Sequence, residues 1–255
     1  MSETTQGKIK APDGETIAYQ RTPGRSPGVV FLTGYRSDMT GQKALALEAF
    51  CRERGNAFVR FDYFGHGQSS GAFTDGTIGR WCDDSVLVLD RLTAGPQVLV
   101  GSSLGGWIMV LAALRRRGRV AGLLGVASAP DFSEDLIWTQ LSPAERQALA
   151  TAGIVPLANP YDEAPTPVTQ RFLEEGRKHL VLRAPIPLTC PVRLIHGLND
   201  AEVPWQTSLR LAERLETADC ELTLVKGGTH RLSEPADLAR LIDHLARLLA
   251  HISPR

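Results

Sequence analysis

Three residues in one chain order carry the sharpest chemical signal: Ser103 inside Gly101-Ser102-Ser103-Leu104-Gly105, then Asp200, then His230. A serine hydroxyl is a weak nucleophile until a base takes its proton, and an imidazole serves as that base when a carboxylate holds its tautomer. The G-x-S-x-G spacing acquires meaning from its flanks. Gln97-Val98-Leu99-Val100 reads as a buried strand and Gly106 to Ala112 as a helix, the strand-turn-helix setting that a nucleophile elbow demands. Ser103 then sits at a helix N-terminus, where N–H groups and the helix dipole favour negative charge. Ser102 occupies an x position and is expected to point away. An oxyanion hole would use the N–H of Leu104 and one N–H from Thr33-Gly34-Tyr35-Arg36-Ser37, with Tyr35 as the expected donor.

Asp200 and His230 each follow a strand-like run, Val192 to Ile195 and Glu221 to Val225, so both are expected at the C-terminal ends of strands beside Ser103. Glu202 is the one serious competitor for the acid. Asp62, Asp83, Asp84 and Asp90 precede the nucleophile, out of order for this arrangement, and Asp83 and Asp84 read as solvated or capping residues. His66 and His196 adjoin glycines and suggest structural hydrogen bonds. His179 closes a helical stretch, and His244 and His251 read as solvated.

Aromatic side chains near these strand ends suggest a substrate groove. Trp138 and Trp205 are the substrate-binding candidates, with Tyr35, Ile137, Ile154 and Tyr161 as further lining, whereas Trp107 reads as core. Arg171, Arg177, Lys178 and Arg183 could meet a carboxylate, although a solvated helix face explains them equally well. No metal-ligand spacing occurs, and Gly65-His66-Gly67 lacks the third glycine of a dinucleotide fingerprint.

The elements that must position these residues alternate. Lys8 to Ala11 and Thr16 to Arg21 flank the Pro12-Asp13-Gly14 turn and predict an antiparallel hairpin. Strands are predicted at Val29 to Leu32, Ala57 to Phe61, Gln97 to Gly101 and Val120 to Val126. Helices are predicted at Gly41 to Arg54, Ile78 to Leu92, Gly105 to Arg116, Thr207 to Leu215 and the C-terminus, with Ser233 as its N-cap. The fold class is therefore α/β: a mostly parallel sheet with an antiparallel N-terminal hairpin and helices on both faces. Between Val126 and Val192 no convincing strand appears. Ser142-Pro143-Ala144-Glu145 starts one helix there and Val168 to His179 forms another, which predicts a single domain, 1–255, with a small helical lid at about 130–188.

Twenty-eight Lys+Arg balance 28 Asp+Glu, so no sequence-wide basic field exists to attract nucleic acid. No apolar run approaches the length of about 18 residues that a membrane span needs. Four scattered cysteines, Cys51, Cys82, Cys190 and Cys220, suit a reducing compartment and no zinc site. With a polar N-terminal segment, these features set the expectation of a cytoplasmic protein.

Three more segments carry a family resemblance. Asp62-Tyr63-Phe64-Gly65-His66-Gly67-Gln68-Ser69 matches D-x-x-G-x-G-x-S, and His196 to Pro204 matches H-G-x-x-D-x-x-V-P. With G-x-S-x-G and Gly228-Thr229-His230, the chain resembles α/β-hydrolase-fold serine hydrolases over essentially its whole length. It is most similar to the branch of palmitoyl-protein thioesterases and acyl-glucuronide esterases that is mitochondrial in animals. That similarity rests on Thr33 to Asp38, Lys43 to Ala46, Arg60 to Tyr63, Gly101 to Trp107, Ile195 to Asp200 and Val203-Pro204-Trp205. It implies hydrolysis of S-acyl-cysteine thioesters and carboxylic esters, free or protein-bound, without a cofactor. No transit peptide is recognised, so the compartment is not carried over. Peptide or C–C bond cleavage on the same residues stays open, as does a ligand-binding relative without catalysis. All three residues in order argue against the last.

Overall fold

Apolar runs that a half-exposed strand could not tolerate lie at the centre of the sheet. Val29 to Leu32, Val98 to Val100 and Leu123 to Val126 are almost fully buried, with one set of alternate residues packed on each face. In the computed structural model the described residues are 3–158 and 164–252. Their order is β1 (Thr5–Lys10), β2 (Thr16–Thr22), β3 (Arg25–Leu32), α1 (Gln42–Arg54), β4 (Asn56–Phe61), α2 (Ile78–Leu92) and β5 (Gln97–Ser102). Then come α3 (Leu104–Arg115), β6 (Val120–Val126), α4 (Pro143–Ala152), β7 (Ile154–Leu157), β8 (Thr166–Thr169) and α5 (Gln170–Gly176). The chain closes with β9 (Val192–Gly197), α6 (Gln206–Arg214), β10 (Cys220–Val225) and α7 (Pro235–Ile252).

Eight strands form one sheet in the order β1-β2-β4-β3-β5-β6-β9-β10. Pairing is parallel from β4 onward, while β2 runs antiparallel to both β1 and β4. Strand β3 lies between β4 and β5, so the chain leaves it first toward one edge and later returns on its other side. At such a switch point the two outgoing loops diverge and leave a crevice above the strand ends. Helices α1 and α7 cover one face, and α2, α3 and α6 the other. Helix α7 begins at Pro235, and the Glu234 carbonyl accepts from Asp237 and Leu238, so Glu234 and not Ser233 is its flanking residue. Proline suits that first helical position because its missing N–H has no partner there anyway.

The excursion between β6 and β9 holds more than two helices. A π-helical turn at Ser133–Trp138 precedes α4, and β7 and β8 form a separate antiparallel pair between α4 and α5. Sequence reading misses that pair because Pro156 and Pro167 stand opposite one another in it. Proline removes a ladder donor and normally argues against a strand, but an isolated two-stranded ribbon is all edge and tolerates it. Helix α4 has the predicted capping box: the Ser142 hydroxyl accepts from the Glu145 N–H at 3.2 Å, and Glu145 accepts the Ser142 N–H at 2.8 Å. The excursion is stapled at its ends. Buried Asp131 accepts the N–H groups of Val181 and Leu182 at 2.7 and 2.9 Å, and Trp107 donates its indole N–H to the His179 carbonyl at 3.0 Å.

Candidate active site

Ser103 joins β5 to α3 with φ 54° and ψ −119°, a conformation rarely adopted by a residue with a side chain. The turn is held from both sides: the Ser103 N–H donates to Val126 O at 2.9 Å, and Ala129 N–H donates back to Ser103 O at 3.0 Å. The two glycines of the motif serve close packing and not the turn dihedral. A Cβ on Gly105 would lie 2.1 Å from Leu32 O, and one on Gly101 2.3 Å from Gly105 O. Helix α3 is therefore pressed against the ends of β3 and β5. Gly105→Ala is expected to cost about 1–3 kcal/mol, as overpacking does. The check is thermal denaturation, in which an unchanged Tm would contradict this packing.

The three residues singled out by chemistry meet at this point. His230 Nε2 lies 2.9 Å from Ser103 Oγ, and its Nδ1 donates to Asp200 Oδ2 at 2.8 Å. Glu202 lies on the other side of the ring, with its carboxylate 3.9 Å from Nε2, so Asp200 alone meets Nδ1. Asp200 also accepts the N–H groups of Glu202 and Val203 on Oδ1, at 2.9 and 2.8 Å. Burial pushes the Asp200 carboxyl up, but donors from His196, His230 and the Val203 backbone outweigh it and hold the group well below the usual carboxylate range. Burial pushes the Glu202 carboxyl up, against the attraction of His230 and Arg231.

The Leu104 N–H opens the first turn of α3 and, among the described residues, has no acceptor there. The Tyr35 N–H likewise donates to no described residue. Its loop lies against Ser103, since a Cβ on Gly34 would be 3.5 Å from Ser103 Cβ. The Tyr35 side chain turns away to anchor the loop. Its ring packs edge-on to Phe73, Trp81 and Phe132, and its hydroxyl donates to Pro167 O at 3.4 Å.

Above Ser103 opens a cleft of about 970 Å³. One wall is apolar and comes from the excursion: Phe132, Leu136, Ile137, Leu141, Leu157 and Val168. Polar side chains also line the cleft, among them Lys43, Glu202 and Arg231. Lys43 donates to the Arg231 carbonyl; burial, aided by the charge of Arg231, brings its ammonium down to about 8.

Several expected site residues lie elsewhere. Trp138 does not line the cleft, because Arg146 and Arg177 stack on its ring at 4.9 and 4.6 Å. Trp205 leads into α6, half-buried and also outside the cleft. Ile154 is exposed, and Tyr161 lies outside the described residues. Arg177 and Arg183 pair with Glu134 and Asp135, within the excursion between β6 and β9. Asp84 is not solvated: it is buried, accepting the Phe64 N–H and pairing with Arg80. Asp62 is also buried and ties loops together through the Met39 and Gln68 N–H groups. His244 is buried beside Thr223. His66 meets the Phe64 carbonyl at 3.1 Å, and burial brings its imidazole down to about 4. The residue most underrated from sequence is His196, which touches Asp200 itself at 3.0 Å. A histidine four residues before the acid was the available signal.

Among the described residues no three His, Cys, Asp or Glu side chains gather as a metal site, and no helix is long and apolar enough to cross a membrane. Residues 29–241 match the model of the alpha/beta hydrolase family. The palmitoyl-protein thioesterase ABHD10, mitochondrial, of Bos taurus is 40% identical over 252 residues, 98% of this chain and 82% of that protein. Its Rattus norvegicus counterpart is 41% identical over 255 residues, covering 98% of this chain and 84% of that protein. Among solved structures, alpha/beta hydrolase domain-containing protein 10 from mouse superposes with a TM-score of 0.91 at 39% identity, covering 98% of this chain and 100% of that one. These relatives overturn the expectation of a cytoplasmic protein, since they are named as mitochondrial.

Proposed function

Because the chain belongs to the alpha/beta hydrolase family, we propose that it cleaves carboxylic esters and thioesters through an acyl-enzyme on Ser103. The observation that carries this reading is the unbroken hydrogen-bonded line from Ser103 Oγ through His230 to Asp200 at the base of the cleft. His230 Nε2 takes the serine proton as Oγ attacks the acyl carbon, and Asp200 stabilises the imidazolium that forms. The developing oxyanion is met by the Leu104 and Tyr35 N–H groups and by the N-terminus of α3. His230 then returns its proton to the departing alkoxide or thiolate, and activates the water that releases the acid.

The apolar lining suits an acyl chain and the polar lining a hydrogen-bonding leaving group, as in an S-acyl-cysteine or an acyl glucuronide. Residues at about 130–188 act in this reading as a lid inserted into a single domain, supplying the acyl wall. No cofactor is required by these steps.

A fluorophosphonate probe tests the nucleophile: it is expected to label the native protein, with the adduct mapping to Ser103. A native protein that resists labelling would end the catalytic reading. Among p-nitrophenyl esters of increasing chain length, kcat/KM is expected to rise until the apolar wall is covered. Each buried methylene contributes about 0.8 kcal/mol, or roughly fourfold. Turnover confined to aminoacyl amides would refute the ester and thioester assignment.

A further inference from the structure

Two imidazoles, not one, meet the same oxygen of Asp200. His230 Nδ1 is 2.8 Å from Oδ2, and His196 Nε2 is 3.0 Å from it. The neighbours of His196 dictate its protonation pattern. Nε2 also lies 3.0 Å from the Val203 carbonyl, so it faces two groups that can only accept and must carry a hydrogen. Its Nδ1 lies 2.7 Å from the Ser208 hydroxyl, which can supply the complementary O–H. His196 and Ser208 are both fully buried, so these partners are not exchanged for water.

We propose that His196 is a positioning residue for the reaction, holding Asp200 Oδ2 in place and moderating its negative charge where it grips His230. The inference rests on the acyl-enzyme reading above. The chemistry is competitive: a carboxylate oxygen that donates electron density to two N–H groups attracts each less than it would attract one alone. Loss of the His196 donor leaves Oδ2 more negative toward His230 and favours the imidazolium. His230 then stays protonated to higher pH and cannot accept the serine proton, so the acidic limb of the activity profile moves upward. Glu202 and Arg231 also face the site, while Lys43 meets the Arg231 carbonyl. All three remain in the variants and cancel from the comparison.

The test is the pH dependence of p-nitrophenyl ester kcat/KM in the native protein, His196→Phe, His196→Gln and Ser208→Ala. His196→Phe is expected to move the acidic limb up by about one unit and to lower the plateau roughly tenfold to a hundredfold, as loss of an outer orienting partner does. His196→Gln retains an N–H donor and is expected to recover most of both. Ser208→Ala is expected to shift the limb in the same direction by less. Should His196→Phe fail to fold, the downfield proton resonance of His230 Nδ1–H in Ser208→Ala supplies the second reading, and it is expected to move from its native position. Unchanged pH limbs and an unmoved resonance, with only Tm reduced, would overturn the proposal and leave His196 a packing residue. A native protein without ester turnover would instead end the acyl-enzyme reading, and this inference with it.

Discussion

Ser103→Ala is expected to lower ester turnover about a millionfold, and His230→Ala to lower it by nearly the same factor, with no further loss in the double variant. The reason is the geometry of a unit. Oγ is 2.9 Å from Nε2, and neither group does its part without the other: a hydroxyl with no base stays protonated, and a base with no hydroxyl has nothing to activate. The residual rate should exceed that of water alone, because the Leu104 and Tyr35 donors and the apolar wall survive in all three variants. Single-turnover kinetics of the native protein and the three variants measures this directly. Additive losses in the double variant would mean that Ser103 and His230 do not act on the same proton.

The second large effect concerns the acid. Asp200→Asn is expected to cost roughly ten-thousandfold in kcat, whereas Glu202→Gln should cost no more than about tenfold. Asp200 is saturated with donors: two backbone N–H groups on Oδ1 and two imidazoles on Oδ2. An asparagine must turn its NH2 toward one of these pairs, and every partner there is itself a donor. Directed at Oδ2, the amide forces His230 into the tautomer whose Nε2 carries a proton and cannot accept another. Directed at Oδ1, it breaks the loop that seats the residue. Glu202 has no comparable role, because its carboxylate faces Nε2 from 3.9 Å and is partly exposed to solvent that screens it. Comparable losses in the two variants would reassign the acid.

Legibility differed between elements for physical reasons. Strand β6 and helix α2 are where periodicity puts them, because a buried run and an amphipathic stripe are properties of consecutive residues. The capping box at Ser142 was equally readable, being a contact across three residues. The β7–β8 pair was not. Its stability comes from pairing across the intervening residues, and its prolines oppose a strand reading on local grounds.

The same division runs through the site. Sequence alone determined which residues could do chemistry and where they would emerge: a serine on a glycine-flanked turn, and an acid and a histidine each just past a buried strand. Those are local properties, since a parallel sheet delivers successive strand ends to one rim whatever else surrounds them. Tertiary structure alone decided that Asp200 rather than Glu202 meets Nδ1, although two residues separate them. It also decided that Trp138 is engaged by two arginines while Phe132 and Leu136 line the cleft, and that a second histidine shares the acid. Each of these depends on a direction in space between groups far apart in the chain. A hydrogen bond resolves differences of under an ångström, which spacing along a sequence does not encode.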